Sequence, residues 1–385
     1  MRSTFMPRCK MEIDRAVIIA LLVWIGGLVP TKQTLAQATA YTVTELPTAS
    51  AAGQIPCRIN NLGDLVGRTG NFGAGTGAVT WNHGTLKRKQ LGVLAGGDYS
   101  AGFAINDAGE VAGASNTGNA IVPFFWKTLG GLQRIPLLRG DNCGQAVSIN
   151  RYGHVAGYSS GPNGARAFLW TRSGEVRNLG SLPGGNYSRA CAVNDSDEVA
   201  GTSSSPGGDH AVVWTTDGNI RDLGTLPGDS SSEATAINNS GKVVGYSNGR
   251  GSVHAFLWTA ATGMQSLGVL PGGDSSRALD INDLGVVVGS SASSLGDHAF
   301  IWTEQIGMVD LNSAASANLG VLFIEAHAIN STGEILVMGK ATPSGETGVP
   351  EDHDCAAAPR ASFLLIPTSA QSKIPGKRSI RLVIH

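Results

Sequence analysis

The chain has 385 residues, a formal net charge of −1 and only 15% charged residues, which leaves no electrostatic case for a nucleic-acid partner. Its 53 glycines argue against a helical protein, because glycine destabilises helix interiors. Turn-rich β structure is the expectation, and the length suits one large repeat fold or two ordinary domains.

The N-terminus reads as an export segment. Residues 16–30, AVIIALLVWIGGLVP, form an apolar run behind Arg2, Arg8, Lys10 and Arg15. A more polar stretch follows, with Ala36-Gln37-Ala38 or Ala38-Thr39-Ala40 as small-residue cleavage sites. That order predicts a signal peptide over 1–38, with Met11 as an alternative start, and a secreted, periplasmic or extracellular product. An uncleaved anchor is the competing reading, and only it brings a membrane partner. The run is short for a span, which needs about 20 residues.

Beyond it the chain is periodic. Trp81, Trp126, Trp170, Trp214, Trp258 and Trp302 are separated by 45, 44, 44, 44 and 44 residues. Asn60, Asn106, Asn150, Asn194, Asn238, Asn282 and Asn330 keep time with them. One unit shows the content: the connector LGTLPGD at 223–229, ATAIN at 234–238, a turn at Asn239-Ser240-Gly241, KVVGY at 242–246, HAFLWT at 254–259, a turn at Thr262-Gly263, then MQSLG at 264–268. Four short strands divided by turn signals make an antiparallel meander.

Each asparagine is assigned to turn architecture, its amide bonding backbone two residues on. A glycine three residues later, as in Asn238 to Gly241, supplies a positive φ. The first strand is alanine-rich, which suits a crowded position near an axis. The third carries the bulk, and its tryptophan is assigned to the core between neighbouring sheets. Such a sheet hides its faces only by stacking on neighbours, so the reading is an all-β propeller.

Seven asparagine-ended strands exist, yet only six complete units follow. The seventh has strands around 328–330 and 334–338 and a third at 362–366, where Phe363-Leu364-Leu365 replaces Phe-x-Trp. YTVTEL at 41–46 is the spare strand. The expectation is therefore seven four-stranded blades over 39–367, closed by pairing of the N- and C-terminal strands. Residues 368–385 are read as a short, solvated basic tail.

These repeats resemble the HAF-repeat family, named for a His-Ala-Phe signature and associated with extracellular proteins. His254-Ala255-Phe256 and His298-Ala299-Phe300 match it, while His210-Ala211-Val212 and Arg166-Ala167-Phe168 depart at one position each. The pattern LG-x-LPGG recurs at 179–185 and 267–273, with variants at 91–97 and 223–229. The resemblance implies secretion and a repetitive β fold, and carries no common activity onto residues here.

Chemical candidates are sparse. His210, His254 and His298 recur on successive units, so they spread around a ring instead of converging on a metal. Asp98, Asp229 and Asp274 follow connector glycines and lack a calcium-loop spacing. No metal or cofactor is expected. Glu325 and His327, with the insert Glu346, Glu351, Asp352, His353 and Asp354, form the one local group of acids and imidazoles suited to acid–base work. Cys57 and Cys355 belong to the units that meet on closure and are the preferred disulfide of an oxidising compartment.

Two functions stay open. One is a secreted, non-catalytic binding or surface-structural protein, recognising an extracellular glycan or a surface protein through the loops at 115–120, 159–166 and 203–210. The other is an extracellular polysaccharide hydrolase or lyase, which needs acidic or histidine side chains gathered in one cleft.

Overall fold

The computed structural model describes residues 40–46, 54–70, 75–118, 120–313, 321–341, 361–367 and 380–383. The expected signal peptide, the insert acids and histidine at 346–354 and Cys355 lie outside them, and with Cys355 lies the Cys57–Cys355 pairing. No helix among the described residues is long and apolar enough to cross a membrane.

The fold is a seven-bladed β-propeller with antiparallel blades in chain order. Blade four is representative: Ser188–Val193 is innermost, Val199–Ser205 and Gly208–Trp214 follow, and Ile220–Asp222 is outermost. Blade seven closes the ring as the sequence predicts. Val321–Ile329, Ile335–Ala341 and Ala361–Pro367 are completed by the N-terminal strand Ala40–Glu45, in the register Tyr41↔Pro367 to Glu45↔Phe363.

Two expectations need correction. Ile380–Val383 is no solvated tail: it pairs with Ala40–Glu45 as a fifth strand. A docked N-terminal strand still offers an unpaired edge, and this β-branched segment satisfies it. The segments read as recognition loops are also mostly strand. In blade three Val155–Gly161 and Gly164–Trp170 are joined by residues 162–163 alone, and blade four turns at 206–207. Serine and glycine there sit in long hairpins, not in open loops.

The core lies between blades. Phe124, Phe168, Phe256 and Phe300 are fully buried, each burial contributing about 1.5–3 kcal/mol. Trp81, Trp126, Trp170, Trp214 and Trp258 are buried and Trp302 is half-buried against the cluster shared by blades five and six. Trp170 of blade three meets Phe125 of blade two at 5.3 Å between ring centres, so the tryptophans do bridge sheets.

Every first strand carries a bulge at the residue three before its asparagine, for example between Ala190 and Ala192 in blade four and between Ala234 and Ala236 in blade five. A bulge leaves one residue unpaired and re-aims it. The second strand accommodates the displaced backbone with glycine: a Cβ on Gly245 would stand 1.9 Å from the Glu233 carbonyl oxygen.

Candidate functional site

One end of the axis is built by the asparagines. Each Oδ1 accepts the backbone N–H two residues on, at 3.0–3.1 Å, and the one four residues on, at 2.8–3.0 Å. This is the predicted turn. The Nδ2 of each donates to the backbone carbonyl of the next asparagine, at 3.0–3.2 Å, and Asn330 returns the bond to Asn60. The result is a closed ring of amides, every member only 3–5% exposed. The residues after them form a second, exposed tier, in which Asn61 N–H donates to Asp107, Asp195 N–H to Asn239 and Asn239 N–H to Asp283.

Beneath this ring an axial cavity of about 430 Å³ reaches Arg58, Ser148, Cys191, Thr235 and Asp280. Cys191 and Thr235 are bulge residues, so the backbone irregularity supplies the wall. Asp280 accepts its own blade's Ile281 N–H at 2.9 Å and blade seven's Ile329 N–H at 3.0 Å. Burial pushes its carboxyl up, and Arg58 and those two N–H groups oppose the shift. Arg58 donates through Nη1 to the Cys57 and His327 carbonyls.

A polar cluster adjoins Cys191 from the far side of the first strands, five residues before each asparagine. Arg189 lies over the Tyr158 ring of blade three at 4.3 Å, and Arg277 over the Tyr246 ring of blade five at 5.3 Å. The Tyr246 hydroxyl donates to Glu233 at 2.7 Å. Glu325 and His327 occupy the same end of blade seven's first strand and pair at 3.0 Å. Cys191 registers this assembly: burial pushes its thiol up to about 11, Arg189 and Arg58 oppose the rise and Glu233 reinforces it. A thiol so raised stays protonated at neutral pH and is no nucleophile. Burial likewise raises Tyr246, with Glu233 adding to it.

The remaining candidates behave structurally. His210 and His298 each bond an aspartate of their own outer strand, Asp222 at 2.9 Å and Asp310 at 2.7 Å. Asp98 accepts Asn116 Nδ2 at 2.6 Å. Among the described residues no three His, Cys, Asp or Glu groups gather as metal ligands. Of the sequence candidates, only Glu325 and His327 belong to the axial cluster. Arg58, Cys191, Arg189, Glu233, Tyr246, Arg277 and Asp280 were missed. A signal existed: from the second unit on, four residues before the asparagine the units read Gly102, Ala146, Ala190, Ala234, Ala278 and Ala326, whereas five before it they read Ala101, Gln145, Arg189, Glu233, Arg277 and Glu325.

No protein-family model matches the chain, and no curated protein matches its sequence. Solved structures do resemble it. Virginiamycin B lyase from Staphylococcus aureus aligns at 13% identity over 85% of this chain and 98% of that one, with a TM-score of 0.51. Oligogalacturonate lyase from Vibrio parahaemolyticus aligns at 14% identity over 87% and 98%, with a TM-score of 0.52. TolB from Acinetobacter baumannii aligns at 14% identity with a TM-score of 0.46, over 64% of this chain and 62% of that one, so the chain spans less than two thirds of it. At such identities the likeness to the two lyases shows the propeller fold alone.

Proposed function

We propose that the protein is an exported binding propeller of the HAF-repeat kind, holding a small polar ligand or the end of a polar polymer on its axis. One observation carries this reading. The positions that build blades repeat almost unchanged, while the position five before the asparagine runs through isoleucine, alanine, glutamine, arginine and glutamate. A purely structural ring needs no such divergence. A ligand without sevenfold symmetry does.

Export is supported by the N-terminal apolar run. The catalytic alternative, a polysaccharide hydrolase or lyase, draws on the Glu325–His327 pair. Incubation of the full chain with an array of extracellular glycans tests both. Selective retention of intact glycan that is lost in Tyr246→Ala supports axial binding. Shortened glycans move catalysis ahead. Retention unchanged in Tyr246→Ala and Glu233→Ala would refute the axial site.

A further inference from the structure

The axial cluster holds acids and bases in equal measure, but their hydrogen-bond accounts differ. Asp280 is engaged by two backbone N–H groups, Glu233 by the Tyr246 hydroxyl and Glu325 by His327. The guanidiniums are less committed: none of the eight ion pairs among the described residues includes Arg58, Arg189 or Arg277, and Arg189 bonds the Tyr187 side chain. Arg58 spends one nitrogen on two carbonyls. Arg189 and Arg277 rest on tyrosine faces, an arrangement that fixes a planar fork without consuming its N–H donors. A guanidinium carries five N–H donors, so the cluster has donors to spare.

The three arginines also sit at one end of the axis. Arg189 and Arg277 take the same position on the innermost strands of blades four and six, and Arg58 lines the axial cavity together with Cys191, two residues beyond Arg189.

We infer that the axial site takes a small oxyanion-bearing ligand, a carboxylate or phosphate gripped by Arg189 and Arg277 with Arg58 deeper on the axis. This deepens the binding reading above and rests on it. Forked donors suit such oxygens because two parallel N–H bonds form at once.

The test is calorimetric titration of the full chain at low ionic strength with D-glucuronate, inorganic phosphate and D-glucose. Saturable binding of glucuronate or phosphate is expected, with no saturable heat from glucose. Glucuronate ahead of phosphate assigns a sugar acid, and the reverse order a phosphate ester. Arg189→Met and Arg277→Met should each weaken anion binding at least tenfold. Arg221→Met removes the same charge from an outer strand, where Arg221 covers Trp258, and should change it less than twofold. Urea melts confirm that each variant folds.

Absence of binding by both anions overturns the inference. So does anion binding that survives Arg189→Met and Arg277→Met, or that falls equally in Arg221→Met. Glucose binding as tight as glucuronate, lost in Tyr246→Ala, would sink the anion class while leaving the axial site standing. Loss of the axial site itself would appear separately, as glycan retention indifferent to Tyr246→Ala and Glu233→Ala.

Discussion

Replacing Asn282 with alanine removes three hydrogen bonds from one buried side chain. Its Oδ1 accepts the Leu284 and Val286 N–H groups at 3.1 and 3.0 Å, and its Nδ2 donates to the Asn330 carbonyl at 3.0 Å. No other side chain shares these atoms, which makes this a clean member of the ring to perturb. A net hydrogen bond is worth about 1 kcal/mol, and a buried group left without a partner costs about 1–3 kcal/mol. Asn282 is 4% exposed, so the loss should be roughly 3–5 kcal/mol by that scale. Urea unfolding followed by fluorescence of the interblade tryptophans measures it, with an unchanged m-value showing that the loss is one of stability.

Asn282→Asp separates the two jobs of the side chain. The carboxylate keeps the acceptor for the turn and sets a charge against the Asn330 carbonyl. Its folded-state pKa is then raised above the unfolded value, because only the protonated acid donates to that carbonyl. Stability is therefore fully present below the unfolded aspartate pKa and lost as pH rises through the folded one. The aspartate variant should approach the wild type in acid and fall away at neutral pH. A cost under about 0.5 kcal/mol for Asn282→Ala, within the range of an indifferent surface change, would refute the ring as a stabilising device.

Three further outcomes follow from the blades. Asp197 holds φ at 60° where the other units place glycine, and its carboxylate bonds His154 and Asn150 at 2.8 Å each. Thermal melts should rank wild type above Asp197→Gly, and Asp197→Gly above Asp197→Ala by roughly 1 kcal/mol, since alanine keeps the left-handed strain and gains no bond. Gly245→Ala should cost about 3 kcal/mol or more, or prevent folding, because its Cβ would stand 1.9 Å from a backbone carbonyl oxygen that has no room to withdraw; a melt within a degree of wild type would discard the close-approach argument. His83 joins blade one to Glu334 of blade seven at 3.1 Å. The Glu334 bond raises the imidazole above 6.5 against the opposing effect of burial. That contribution is present below 6.5 and lost as pH rises through the higher folded value. His83→Gln should flatten the fall in melting temperature as pH rises above 6.5, and an unaltered pH profile would contradict it.

The blade count and the closing strand were legible because tryptophan, asparagine and glycine mark turns and interfaces at a fixed period. The second role of Asn60, Asn106 and their counterparts was not, since the bond from Nδ2 runs to another blade and leaves no local trace. The axial cluster escaped for a different reason. Strict alternation assigns each strand residue a face, but the bulge before Ala192 and Ala236 resets that parity, so counting along the strand misplaces Cys191 and Thr235. The hairpins at 159–166 and 203–210 were read as loops because serine and glycine carry no hydrophobic alternation. Cross-strand pairing alone makes them strands.

Closure through Ala40–Glu45 also sets an order of events. The strand Ala40–Glu45 is made well before the residues that pair it: Glu45 waits for Phe363, and Ala40 for Val383. Until they arrive, this strand is an exposed, β-prone segment and the amide ring is open between Asn330 and Asn60. Any factor that shields this segment in the interval governs the yield of closed propellers, even though it leaves no mark on the finished molecule.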